Sequence, residues 1–121
     1  MPRILIVDDE AQIRALLATA FERAGYDVRT APDGPEAVAL CNAEAFDAVL
    51  SDVVMPRMNG HDLARWISAR HPQTRLVLMS GFDVGCQNCP AAPRCQFVSK
   101  PFRLGEVVSA VSHAIAQPLP N

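Results

Sequence analysis

Three acids, a hydroxyl and an amine stand in this sequence at the ends of short apolar runs. Asp52 closes Phe46-Asp47-Ala48-Val49-Leu50-Ser51-Asp52, and Asp8, Asp9 and Glu10 follow Ile4-Leu5-Ile6-Val7. Ser80 follows Leu76-Val77-Leu78-Met79, while Lys100 follows Phe97-Val98-Ser99 and precedes Pro101. Short continuous apolar runs read as buried strands of a parallel sheet. Open α/β sheets bind ligands beyond the carboxyl ends of their strands. Asp8, Asp9, Asp52, Ser80 and Lys100 are therefore expected on one rim.

That set has a definite chemistry. Three neighbouring carboxylates repel unless a cation neutralises them. A hard divalent ion suits such oxygens, and Mg²⁺ suits them best because it uses few carboxylates, keeps several waters and accepts phosphate oxygens. An ionised carboxylate is also a nucleophile that can form an acyl phosphate. Phosphoryl transfer asks mainly for positioning and charge neutralisation. Mg²⁺ and the Lys100 ammonium would neutralise the equatorial oxygens, and the Ser80 hydroxyl would donate a hydrogen bond to one. Taken singly, Asp8 and Asp9 read as helix-terminal acids, Asp52 as a turn acid before Met55-Pro56, Ser80 as a loop hydroxyl and Lys100 as a solvated charge. Their joint occurrence carries the inference.

The elements that must hold this rim can be read between its members. Ile13, Leu16, Leu17, Ala20, Phe21 and Ala24 recur at helical spacing, and Gly25 supplies a stop. Tyr26 to Thr30 form a second strand. Asp33-Gly34-Pro35 then gives cap and first-turn signals for a helix carrying Ala37, Val38, Leu40 and Cys41. Met55-Pro56-Arg57-Met58-Asn59-Gly60 is a turn, and a helix with Leu63, Trp66 and Ile67 runs to about His71-Pro72. Leu76 to Ser80 and Gln96 to Ser99 are the fourth and fifth strands, and Leu104, Val107, Val108, Val111 and Ile115 mark a closing helix. Such alternation yields an α/β, doubly wound parallel sheet with helices on both faces. Between Ser80 and Lys100, two prolines and two glycines leave the expected fourth helix short or missing. Residues 1–117 are read as one domain and 118–121 as a tail or truncated linker.

Composition narrows the function classes. The 121 residues are 50% hydrophobic and 20% charged, with a formal net charge of −2. That is an ordinary globular mixture, with no electrostatic reason to expect direct nucleic-acid or membrane binding. No apolar stretch approaches the roughly 18 residues that span a bilayer, and a cytoplasmic location is expected.

From Ile4-Leu5-Ile6-Val7-Asp8-Asp9-Glu10 through Asp52-Val53-Val54-Met55-Pro56 and Asn59-Gly60 to Ser80-Gly81 and Lys100-Pro101-Phe102, the sequence resembles the response-regulator receiver domains, the CheY-like phosphoacceptors of two-component signalling. The resemblance implies a five-stranded, flavodoxin-like sheet of order 2-1-3-4-5. It implies that Asp52 accepts a phosphoryl group from a histidine kinase or phosphotransfer protein. Asp9 would then be a direct Mg²⁺ ligand, Asp8 a direct or water-mediated one, and the backbone carbonyl of Val54 a further ligand. Ser80 would be the switch hydroxyl and Phe97 the switch aromatic, and the Lys100–Pro101 bond would be cis. Only self-phosphotransfer and self-dephosphorylation are expected of such a domain, not turnover of an external substrate. A phosphatase or phosphotransferase reading finds no general acid beside Asp52 and no substrate cap. Val54 and Phe82, two residues beyond Asp52 and Ser80, are read as an apolar screen that slows loss of the phosphoryl group.

Cys86, Cys89 and Cys95 are the departure from the family pattern. Cys86 and Cys89 have a metal-ligand spacing and Cys95 would be a third thiolate, but the segment offers no fourth ligand, and His61, His71 and Asp83 are not indicated by spacing. Plain reduced cysteines are the first reading, a redox disulfide the second and structural zinc the third. The alternative function is accordingly a thiol redox or metal sensor.

Overall fold

A computed structural model describes residues 1–80 and 95–117. The chain runs β1 (Arg3–Val7), α1 (Ala11–Arg23), β2 (Asp27–Ala31), α2 (Gly34–Ala43), β3 (Ala48–Asp52), α3 (Gly60–Arg70), β4 (Arg75–Ser80), β5 (Cys95–Ser99) and α4 (Leu104–Ala116). All strands pair in parallel in the order β2-β1-β3-β4-β5. The expected doubly wound architecture is present. The expectation of a short or missing helix between Ser80 and Lys100 falls on residues 81–94, outside the described residues, as does the tail at 118–121.

Two apolar layers sandwich the sheet, and strand alternation assigns each side chain to one of them. Ile4 and Ile6 face α1 and α4, packing with Leu17, Phe21, Val107, Val111 and Ala114. Leu5 and Val7 face α2 and α3, packing with Ala37, Cys41, Leu63, Ala64 and Ile67. The central strand β3 is buried along its whole length, whereas edge strand β2 exposes Arg29 and Thr30. Burial pushes the Cys41 thiol up to about 11. That thiol is therefore an inert core group at neutral pH.

Local chemistry sets the helix ends. Asp33 accepts the Glu36 N–H at 2.9 Å and Asn59 accepts the Asp62 N–H at 2.9 Å, capping α2 and α3. Gly25, at φ +95°, takes the left-handed turn after α1 that side chains resist. Arg75 reaches across from β4 to donate to the carbonyls of Ala114, at 3.1 Å, and Gln117, satisfying the end of α4. Three strands differ by one residue from the sequence reading, β4 among them, which begins at Arg75 rather than Leu76. β2 lies one residue later, at Asp27–Ala31, since the Tyr26 N–H bonds the Phe21 carbonyl at 3.0 Å and belongs to the turn after α1. β5 begins one residue earlier, since Cys95 pairs with Leu76. Among the described residues, no helix is long and apolar enough to cross a membrane.

Candidate functional site

The carboxyl ends of β1, β3, β4 and β5 bring the expected residues together. One carboxylate oxygen from each of Asp8, Asp9 and Asp52 lies within 4.8 Å of the others. Asp8 and Asp52 are buried, and Asp9 is exposed. The Lys100 Nζ stands 3.1 Å from Asp52 Oδ2. The Lys100–Pro101 bond is cis, as the resemblance implied, and the Lys100 N–H donates to the Ser80 carbonyl at 2.9 Å. Ser80 is buried at the end of β4, one residue beyond Met79, which pairs with Asp52.

Asp8 is the most constrained of the acids. Its Oδ1 accepts the Glu10 N–H at 2.9 Å, and its backbone carbonyl accepts a hydrogen bond from Arg14 Nη1 at 2.7 Å. Its Oδ2 is buried with no hydrogen-bond partner. Burial raises the Asp8 pKa above its ordinary value. The Glu10 N–H opposes that shift, the Asp52 charge adds to it, Lys100 opposes it and Asp9 adds to it. A buried orphan oxygen facing two further carboxylates is costly by itself. A divalent cation among hard oxygen donors removes that cost, so the donor set fits Mg²⁺ and is ill suited to a soft metal.

The turn that follows Asp52 is held tightly. The Val53 N–H bonds the Met79 carbonyl at 3.0 Å, and the Gly60 N–H bonds the Val53 carbonyl at 2.8 Å. A Cβ on Gly60 would lie 2.5 Å from the Asp52 carbonyl oxygen and 2.8 Å from the Val53 Cα, so the start of α3 presses against the end of β3. Gly60→Ala is expected to cost about 1–3 kcal/mol in urea unfolding, as overpacking against backbone does. An unchanged midpoint would mean that the turn yields freely. Arg57 takes φ 72° and pairs with Asp33 at 3.4 Å, clipping the same turn to the cap of α2.

Val54 is 69% exposed, so its side chain stands out toward solvent. Phe97 is half-buried against the α2–α3 layer, its ring 6.0 Å from that of His61 and tilted by 41°. The His61 contact, the Arg14 brace and the reason for Gly60 had no clear signal in the sequence, although Asn59-Gly60 formed part of the resemblance. Met55 lies in the core and Trp66 packs against it. Phe82, Cys86 and Cys89 lie outside the described residues, and Cys95 is described only as the first residue of β5.

Comparison with known proteins agrees with this geometry. The family model for the response regulator receiver domain matches residues 4–112. The response regulator receiver protein CpdR of Brucella abortus is 35% identical over 113 residues, covering 92% of this chain and 94% of that protein. The sensor kinase CckA of the same organism is 34% identical over 116 residues, which are 93% of this chain but 12% of the kinase. The chain thus spans nearly all of one relative and a small part of the other. The chemotaxis protein CheY4 of Vibrio cholerae superposes with a TM-score of 0.83 at 27% identity, covering 94% of this chain and 98% of that one.

Proposed function

Because the chain belongs to the response regulator receiver domain family, the phosphoacceptor signalling switches of two-component systems, we propose that Asp52 is its phosphoacceptor and that Asp8, Asp9, Lys100 and Ser80 serve that one residue. The carrying observation is the convergence of three carboxylates within 4.8 Å, one of them 3.1 Å from the Lys100 ammonium. Receiver domains pair with histidine kinases, and we take a phosphohistidine as the donor. An Asp52 carboxylate oxygen attacks phosphorus, the P–O bond forms as the P–N bond breaks, and the freed imidazole nitrogen takes a proton from water. The product is an acyl phosphate.

Asp8, Asp9, Asp52 and the Val54 backbone carbonyl would hold Mg²⁺, which supplies positive charge to the phosphoryl oxygens when bound. Lys100 supplies a second positive charge on the Asp52 side. The Ser80 hydroxyl would donate to a phosphoryl oxygen, and Phe97 would respond to that movement against His61 on α3. The domain is a signalling phosphoacceptor rather than a classical enzyme. Its own chemistry, in this reading, is limited to taking up and losing the phosphoryl group. We assign the receiver to residues 1–117 and a location in the cytoplasm, with no direct contact to nucleic acid or membrane. The comparisons lend no support to thiol or metal sensing as the function.

Beryllofluoride with Mg²⁺ mimics an acyl phosphate without chemistry. It is expected to shift the amide NMR spectrum of the wild type around Ser80 and Phe97 and to leave Asp52→Ala unchanged. An unresponsive wild type counts against the assignment. The exposure of Val54 bears on the lifetime of the phosphoryl group. Paired polar replacements at Val54 and Phe82 are expected to shorten it several-fold, and an unaltered decay of labelled protein would remove the screening role.

A further inference from the structure

Ser51 is a hydroxyl where the core calls for a methyl. It lies on β3 between Val7 of β1 and Leu78 of β4 and is 1% exposed. Burying a hydroxyl in such company is unfavourable unless it finds a partner. Its Oγ donates to the carbonyl oxygen of Asp52 at 2.9 Å and lies 3.8 Å from the Met55 sulfur. That same carbonyl oxygen is the atom against which Gly60 closes, where a Cβ would stand at 2.5 Å. The next peptide is held in turn by the bonds from Val53 N–H to Met79 and from Gly60 N–H to the Val53 carbonyl.

The Asp52 carbonyl belongs to the last residue of β3, where the ladder gives way to the turn. Here it is held from one side by the Ser51 hydroxyl and walled on the other by the bare Gly60 Cα, so the Asp52–Val53 peptide has one orientation. The direction of the Asp52 side chain and the path of the chain into Val54 both start from that peptide.

We propose that Ser51 is a positioning residue for the acceptor site. Its buried hydroxyl fixes the Asp52–Val53 peptide and thereby pre-organises the oxygen donors for a divalent cation. This rests on reading Asp52 as the acceptor and as a metal ligand. Pre-organisation is a matter of affinity rather than of chemistry, and the test separates the two.

Mg²⁺ is titrated calorimetrically into the full chain and its Ser51→Ala, Ser51→Cys and Ser51→Thr variants, with thermal midpoints recorded in parallel. Ser51→Ala and Ser51→Cys are expected to bind Mg²⁺ about fivefold more weakly, the effect of about one hydrogen bond, while Ser51→Thr, which keeps the hydroxyl, stays within about twofold. At saturating Mg²⁺ the uptake of phosphoryl groups from acetyl phosphate should return close to the wild-type rate. Wild-type affinity in the folded Ala or Cys variant overturns the proposal. So does an equal loss in all three variants, which would point to packing. If Ser51→Ala fails to fold, Ser51→Cys decides alone, because the thiol keeps the volume and is a poor donor. A wild type that binds no Mg²⁺ refutes the metal reading itself and the Ser51 role with it. Unaltered Ser51 variants of a Mg²⁺-binding wild type refute only the latter.

Discussion

Asp8→Asn is expected to be more stable than the wild type without divalent ions, and to gain nothing when Mg²⁺ is added. In the wild type the Asp8 Oδ2 is buried without a partner, and burial together with the Asp52 and Asp9 charges raises its pKa. Asparagine keeps an oxygen for the Glu10 N–H and places an amide donor among the remaining carboxylates. The expected gain is about 1–3 kcal/mol, the scale of an unsatisfied buried polar group. The pH dependence has a definite sign. A carboxyl whose pKa is higher in the folded than in the unfolded chain keeps its proton longer when folded. As pH rises past its ordinary 3.8, the unfolded chain ionises first and stability falls until the raised value is passed. Metal-free wild type should therefore lose stability over that acid window as pH rises, through this residue. Asp8→Asn should lack that component, and Mg²⁺ should restore the wild type at neutral pH by binding the folded state. Urea titrations with EDTA or Mg²⁺ at several pH values check all three points. A metal-free Asp8→Asn less stable than the wild type would show that the acid cluster is already satisfied.

Lys100→Ala is expected to divide rate from metal affinity. The ammonium sits 3.1 Å from Asp52 Oδ2 on a side chain 30% exposed, near enough to the acid cluster to oppose the rise in the Asp8 pKa. Removing it takes away a charge aimed at the transferring group, and losses of one such preorganised donor run on the order of 10²-fold in rate. Yet an ammonium and Mg²⁺ are like charges sharing one acid cluster. The variant should therefore bind Mg²⁺ as tightly as the wild type or more so. Stopped-flow uptake from acetyl phosphate, set beside Mg²⁺ titration, reads both quantities. Parallel loss of rate and affinity would mean that Lys100 only supports the fold.

The sheet and its acidic rim were legible because both follow from strand periodicity. A continuous apolar run is a buried parallel strand, its first polar residue falls at the rim, and four such runs supplied Asp8, Asp9, Asp52, Ser80 and Lys100. The details that tune the rim were not legible, since they depend on contacts between residues far apart in sequence. Ser51 reads as one small residue in an apolar run, and only the position of the Asp52 carbonyl gives its hydroxyl a task. Arg14 and His61 are a helical arginine and histidine like any other until they are seen against the Asp8 carbonyl and Phe97. Val54 was read as a screen for the phosphoryl group, and its 69% exposure could not be foreseen, since side-chain direction after a strand end is not set by residue type. Strand edges slipped by one residue at β2, β4 and β5, where Tyr26, Arg75 and Cys95 sit at the boundary between ladder and turn.

The claim that Asp52 carries the phosphoryl group is tested most directly by chemical trapping. An acyl phosphate is reduced by borohydride to the corresponding alcohol, which turns a phosphorylated aspartate into homoserine. After incubation with acetyl phosphate and Mg²⁺, reduction and peptide mass spectrometry should find homoserine at position 52 and nowhere else, and none when EDTA replaces Mg²⁺. Homoserine at Asp8 or Asp9 instead, or an unmodified Asp52 in protein that has taken up label, would contradict the account.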